Sequence, residues 1–296
     1  KFYFTMKVLA YGEILWDIIE GKSHLGGAPF NFAAHIVKCG GQAAILSSVG
    51  KDDLGKNAIE QAVKLGVDTS FVSYAENLPT GTVDVYLENG QPDYTIHEQV
   101  AFDEITLPEI EKITDLHFDV FYFGALAQRN AVSAASLRQI LDQIPFKEIF
   151  FDINIRKQFY SKEIIDLALR HATIFKINDQ EVELVSEMFF GEKLSMEQFA
   201  VKISSKYPVK ILVITAGEKG CFIYAGGVLH IVPGIPVKVV DAVGAGDAFS
   251  AAFLTVYLSS GDVLRAATTA NQVGAFVASS SGAIPDYSAE IIARFK

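Results

Sequence analysis

From residue 105 onward the chain repeats one pattern: a short run of β-branched and aromatic residues, then a longer stretch with helical apolar spacing. Phe118 to Phe123, Glu148 to Asp152, Thr173 to Ile177 and Lys210 to Thr215 read as strands. Ala131 to Gln143, Lys162 to His171 and the stretches up to Lys206 read as helices. Strands alternating with helices imply a mostly parallel sheet covered by helices on both faces, an α/β fold. In such sheets ligands bind beyond the carboxyl ends of the strands, so the residues just after each strand are the ones to inspect.

The first hundred residues have a different texture. Lys7 to Tyr11 is a short apolar strand closed by Gly12, and Glu13 to Ile19 resumes as a second strand with Asp17 inside it. Gly26-Gly27, with Pro29 just behind, reads as a turn into a helix from Phe30 to Cys39. A buried strand from Ala43 to Val49 and a helix from Lys51 to about Leu65 follow. From Phe71 to about Phe102, alternating Val, Tyr, Thr and acids with turns at Asn89-Gly90 and Gln91-Pro92 predict β-hairpins. This insertion is expected to join the Gly12 to Gly26 region as a small separate sheet. The boundaries drawn are one domain over 6–296, a small sheet from about 12–26 and 71–104, and residues 1–5 as an upstream extension or expression remnant ahead of Met6.

One junction concentrates the chemistry. Val240-Asp241-Ala242-Val243-Gly244-Ala245-Gly246-Asp247-Ala248-Phe249 passes from a β-branched run through two glycines into a long apolar-periodic segment, which predicts strand, tight turn and helix start. The first amides of such a helix have no partner within it and, with the helix dipole, make an anion site. Asp247 reads either as a first-turn carboxylate favoured by the dipole or as a carboxylate held beside a bound phosphate. Helix continues through Leu258, and a second one covers Asp262 to Ser279.

Composition removes several classes of function. Thirty-five acidic against 25 basic residues give a net charge of −10, which argues against a nucleic-acid or anionic-membrane surface, so any bound phosphate must be held by local groups. No apolar run approaches the roughly 20 residues of a membrane span, and the first residues lack the apolar core and cleavage site of a signal peptide, from which a cytoplasmic location is expected. Cys39 and Cys221 read as buried reduced thiols, and the six histidines show no metal spacing. Gly21-Lys22-Ser23 imitates the end of a P-loop, but Trp16 stands where its first glycine belongs. A dinucleotide fingerprint would need Gly or Ala three residues after Gly246, where Phe249 stands.

Asp-x-x-Gly-Ala-Gly-Asp-Ala-Phe at 241–249 is similar to the C-terminal signature of the ribokinase-like (PfkB) carbohydrate kinases. Gly26-Gly27-Ala28-Pro29-Phe30-Asn31 resembles that family's glycine-pair sugar motif, and Gly12-Glu13-Ile14-Leu15-Trp16-Asp17 resembles its fructokinase branch. The likeness spans the chain from Met6. It implies a ribokinase-like fold whose small sheet is a lid over the sugar and, in several members, a homodimer contact. It also implies ATP and Mg2+ as cofactors and, in some members, a monovalent cation such as K+.

Residue by residue, the resemblance makes Asp247 the base and gives the amides of Gly244, Ala245 and Gly246 to the phosphoryl oxygens. Asp17, Gly26, Gly27, Asn31 and Arg156 fall to the sugar. Asn178, Thr215, Gly217, Gly220 and Asn271 fall to the nucleotide, with Glu181 near Mg2+ through water and Asp241 near the monovalent cation. Asp152-Ile153-Asn154-Ile155-Arg156 departs from the fructokinase pattern, which has proline at position 153. Each assignment has a plainer reading from the residues themselves. Asp17 could be the solvent side of a strand, Asn31 a turn residue, Asn178 to Glu181 a helix cap, and the glycines at 217 and 220 a hairpin turn. The implied function is transfer of the γ-phosphoryl group of ATP to the 6-hydroxyl of fructose. 2-Keto-3-deoxygluconate kinase and ribokinase are the alternatives within the family, and a non-catalytic sugar-binding regulator is the alternative outside catalysis.

Overall fold

In the computed structural model, residues 6–88 and 91–295 are described. The chain opens with β1 (Lys7–Tyr11), β2 (Leu15–Ile19) and β3 (Lys22–Gly26), then α1 (Ala28–Lys38), β4 (Gln42–Gly50), α2 (Asp53–Lys64) and β5 (Val72–Ala75). A hairpin of β6 (Gly81–Glu88) and β7 (Gln91–Ile96) follows. The alternating part runs α3 (Ile110–Thr114), β8 (Val120–Gly124), α4 (Ala131–Gln143), β9 (Glu148–Asp152), α5 (Lys162–His171), β10 (Ile174–Asn178), α6 (Asp179–Phe190), α7 (Met196–Lys206) and β11 (Ile211–Thr215). It closes with β12 (Gly220–Ala225), β13 (Val228–Pro233), α8 (Ala245–Ser260), α9 (Val263–Ala278) and α10 (Ala289–Ala293).

Nine strands form one sheet in the order β13-β12-β11-β10-β9-β8-β1-β4-β5. It is parallel from β5 through β11, and antiparallel where β12 and β13 pair. Alternation along the strands sends Val8, Ala10, Phe150 and Val213 into a core shared with α1, α2, α8 and α9. It sends Leu9, Tyr11, Phe151 and Leu212 into a second core shared with α4 to α7. The chain leaves β1 first toward β4 and later returns to its other side at β8, so the reversal of strand order, where such sheets bind ligands, falls beside β1. A separate sheet ordered β3-β2-β6-β7 stands apart from the main one.

Three expectations need correction. No strand leads into Gly244: β13 ends at Pro233, and residues 234–240 are irregular, with Val239 and Val240 each 61% exposed. Gly234 and Pro236 interrupt the run there, and proline has no amide for a ladder. Residues 72–75 pair with β4 in the main sheet and not in the small one. Lys22 to Gly26, inside the region expected as the small sheet, is one of its strands although Lys22, Ser23 and His24 are solvent-exposed. Gln91 and Pro92 belong to the hairpin ladder, opposite Glu88 and Leu87; the turn expected at Asn89-Gly90 lies outside the described residues.

Candidate active site

Helix starts are the first clue. Six of the described helices of eight residues or more carry a side-chain cap: Asp52 on α2, Asn130 on α4, Ser161 on α5, Asn178 on α6, Ser195 on α7 and Asp262 on α9. The other two, α1 and α8, begin at Gly27 and Gly244 with no capping side chain. At α1 the Ala28 amide goes to Glu13 and Pro29 has none; at α8 the Ala245 amide turns back to the carbonyl of Ala242 at 3.3 Å, which leaves those of Gly246 and Asp247. The two helices meet where Asn31 Nδ2, in the first turn of α1, donates to Asp247 Oδ2 in the first turn of α8 at 2.9 Å.

Both glycines are dictated by backbone and space. Gly244 has φ 77°, and a Cβ on it would sit 2.4 Å from the carbonyl oxygen of Ala283. Gly27 has φ 106°, and a Cβ there would lie 2.3 Å from the carbonyl oxygen of Glu13. Any L side chain would be strained and would push these elements apart.

Asp247 does not cap its own helix. It is partly exposed but set deep among other groups, and burial pushes its carboxyl up to about 6, opposed by the bond from Asn31 and reinforced by the charge of Asp152. It stands in the first turn of α8 as an acid favoured by the dipole would, but burial outweighs that setting in its carboxyl. It does not keep the ordinary carboxylate value of about 3.9 expected from sequence.

On the α1 side, Asp17 lies on β2 opposite His24, and a Cβ on Gly26 would come within 2.6 Å of its Oδ2. The first glycine of the pair thus leaves room for this acid. Burial raises Asp17 to about 6, countered by the charges of Arg156 and His24. Glu13, 4% exposed, was not assigned a role from sequence; burial pushes it to about 7 against bonds from its own amide and that of Ala28, and Oε2 has no partner. An acid two residues past the end of β1, where such sheets bind ligands, is the signal that could have found it. Arg156 is exposed on the loop after β9, and its charge acts on Glu13, Asp17 and Asp247 together. That loop holds Asn154 and Lys157 at φ 40° and 48°, the kind of strain found at functional sites. Ile153 donates its amide to the Lys176 carbonyl at 3.1 Å, a bond the proline of the fructokinase pattern could not make.

Asn178 and Glu181 form a reciprocal capping box at the start of α6, with bonds of 2.8 and 2.9 Å, and the other Glu181 oxygen takes the amide of Ile155 at 2.7 Å. The helix-cap reading of this pair is therefore met in full, and Glu181 also ties the Arg156 loop down. Asp241 accepts the amides of Val243 at 3.0 Å and Gly282 at 3.2 Å, joining the Gly244 turn to the segment after α9.

Beside the α8 start opens a cavity of about 370 Å³. Thr215, Gly217 and Gly220 line it from the β11–β12 connection, Ala245 and Gly246 from the turn, Asn271 and Ala275 from α9, and Val237 and Val239 from the irregular run. The β-branched run that was expected as a strand is thus an apolar wall. Asn271 Nδ2 holds that wall by donating to the carbonyl of Pro233 at 3.0 Å. Asn178 and Glu181 do not line this cavity.

A carboxylate on the first turn of an uncapped helix thus stands between the buried acids Glu13 and Asp17 and an apolar cleft, on the carboxyl side of an α/β sheet. Comparison with known proteins gives the family. The model of the pfkB family carbohydrate kinases matches residues 3–290, and the chain belongs to that family. It is 28% identical to a fructokinase of Escherichia coli, with 95% of each chain covered. A crystal structure of an uncharacterized sugar kinase from Pyrococcus horikoshii in complex with ATP superposes with TM-score 0.80 at 26% identity, covering 94% of each chain. That of a fructokinase with bound ATP from Xylella fastidiosa gives 0.86 at 18% identity over 98% of this chain and 97% of its own, a likeness of fold.

Proposed function

We propose that this carbohydrate kinase transfers the γ-phosphoryl group of ATP to the 6-hydroxyl of fructose. The observation that carries the transfer chemistry is Asp247: an ionisable carboxylate on the first turn of an uncapped helix, gripped by the asparagine of the glycine-pair helix. The α8 amides receive the phosphoryl oxygens. Phosphoryl transfer asks the protein mainly for positioning and charge stabilisation. Asp247 orients the acceptor hydroxyl and takes its proton as the oxygen bonds to phosphorus and loses basicity. With its carboxyl near 6, it is ionised at neutral pH yet a better base than a free aspartate.

Asp17, Gly26, Gly27, Asn31 and Arg156 bind the sugar, under a lid formed by the four-stranded sheet. Acids held against glycines suit a polyol, whose hydroxyls donate to carboxylates. The 370 Å³ cavity takes the nucleotide, with the adenine ring against Val237 and Val239 near Asn271 and the phosphates along Thr215 to Gly220. ATP is supported by the complex of the Pyrococcus kinase, and fructose by the relative named fructokinase.

Among the described residues no group of three His, Cys, Asp or Glu side chains is arranged to hold a metal, and Glu181 is already bound by two amides. This fits Mg2+, which keeps several waters and rides on substrate phosphates; Glu181 and Asn178 would act on its waters. When bound, it neutralises phosphate charge. Asp241 is the residue for a monovalent cation such as K+, and the lid is the surface for a homodimer.

The test is a coupled ADP-release assay with MgATP over a panel of fructose, ribose, 2-keto-3-deoxygluconate and nucleosides, with the product mapped by phosphorus NMR. Fructose is expected to give the highest kcat/KM and a 6-phosphate. Preference for ribose or a nucleoside overturns the substrate, and no ADP release with any sugar overturns the kinase chemistry in favour of a sugar-binding regulator.

A further inference from the structure

Three strands and the first turns of α8 converge on one buried carboxylate. Asp152, 2% exposed at the end of β9, accepts Lys176 Nζ from β10 at 3.0 Å on Oδ1 and 2.9 Å on Oδ2. Its Oδ2 also accepts the hydroxyls of Tyr122 on β8 at 3.2 Å and Ser250 on α8 at 3.1 Å. Lys176 is itself only 7% exposed. Burial works against its charge, but Asp152, then Glu181 and Asp247, hold its pKa above the ordinary value, so it is an ammonium. Stability does not account for such a pair, since apolar residues of equal volume usually serve as well or better.

Position supplies the reason. A Cβ on Gly246 would meet Lys176 Nζ at 3.7 Å, so the ammonium lies beside the first turn of α8. Ser250, one turn below Asp247, places its Oγ 3.0 Å from the carbonyl of Gly246 as well as 3.1 Å from Asp152, linking the pair to that turn. An ammonium has three N–H groups, and Asp152 accepts Nζ on both of its oxygens. The groups acting on Asp247 and its neighbourhood are otherwise acidic, from Asp152 and Glu13, apart from Arg156, which sits exposed on its loop.

We propose that Lys176 is the fixed positive charge that offsets the phosphoryl group arriving at the Gly244 to Asp247 turn, with Asp152, Tyr122 and Ser250 as positioning residues that hold its ammonium there. The inference rests on the phosphotransfer reading above. Lying beside the turn that receives the transferred group, the charge acts on that group more than on ground-state binding of sugar and nucleotide.

The test separates charge from scaffolding. Lys176→Met alone strands Asp152 and should melt below wild type, whereas Asp152→Asn with Lys176→Met removes both charges at similar volume and should melt close to it. In that double variant, fructose KM and the Kd for MgADP should stay within about threefold, while kcat falls by about 10- to 100-fold, as on losing an electrostatic contact to the transition state. Aluminium fluoride, a mimic of the phosphoryl group in transfer, should tighten MgADP binding in the presence of fructose in wild type, and this tightening should drop at least about tenfold in the double variant. Recovery of kcat and of the fluoride effect along with the melting temperature would overturn the proposal and leave the pair as scaffolding. Should the double variant not fold, Ser250→Ala keeps the pair and cuts its link to the turn; a fall of about fivefold in kcat with unchanged MgADP affinity is expected, and unchanged kcat overturns the proposal. Absence of both turnover and fluoride tightening in wild type would instead remove the phosphotransfer reading on which it rests.

Discussion

The two halves of the cleft are built from different materials. On the α1 side, Glu13, Asp17 and Asn31 crowd against a glycine pair, and burial raises both acids toward neutrality. Across Asp247, the cavity is lined by glycines, Val237, Val239 and helix backbone, with little that titrates. The difference follows from what each side would have to read. Hydroxyl stereochemistry is discriminated by buried polar groups that go unpaired with the wrong partner, while a flat ring and a phosphate chain need apolar walls and amides. Substitutions on the first side should therefore alter sugar KM, those on the second nucleotide affinity, and those at the junction turnover alone.

The junction should give the largest effect. Asp247→Asn keeps the bond to Asn31 available but removes charge and basicity; kcat should fall by about two to four orders of magnitude, with ATP affinity retained or slightly tightened because like-charge repulsion is relieved. Steady-state rates at saturating MgATP and fructose, with a thermal melt to confirm the fold, check this. A kcat within a few-fold of wild type would make the junction no different from its flanks.

Gly246→Val should lower kcat by about two orders of magnitude through the same turn. A single methyl there would only touch Lys176 Nζ at 3.7 Å, so Gly246→Ala should fold and retain most activity, and the pair of variants separates crowding by branched groups from loss of glycine itself. Next comes Asp17→Ala, which should raise fructose KM by about 10- to 150-fold, the equivalent of roughly 1.5 to 3 kcal/mol for a charge-assisted hydrogen bond, with the KM for ATP unchanged. Initial rates under varied fructose and varied ATP measure both.

The smallest effect concerns Glu13. Its folded pKa, near 7, lies above the ordinary carboxylate value. A raised pKa means that its favourable contribution to stability is complete below about pH 4.3 and is lost as pH rises toward and through 7. Glu13→Gln abolishes that loss. Its melting temperature relative to wild type should therefore rise by a few degrees between pH 5 and pH 8; a pH-independent difference would mean that the acid side of the cleft is not held by burial.

Much of this was written in the chain. The alternation of strands and helices after residue 105 fixes a parallel sheet, because period-2 and period-3.6 apolar patterns can bury only those faces. The two glycine motifs mark where α1 and α8 begin, since a positive φ or close backbone contact leaves few residues to choose from. Other features were decided by distant partners. The β-branched run before Gly244 reads locally as a strand, but with Gly234 and Pro236 breaking the ladder it becomes a wall pinned by Asn271, 38 residues beyond Pro233. Lys22 to Gly26 became a strand through pairing with β2, which its polar residues do not announce. Asp247 shows only an acid after glycine in sequence, and whether it caps a helix or takes a proton depends on burial and on Asn31, 216 residues earlier. Local propensity and periodicity are properties of neighbouring residues and survive in the sequence; the field at a carboxylate is a sum over groups that only folding brings together.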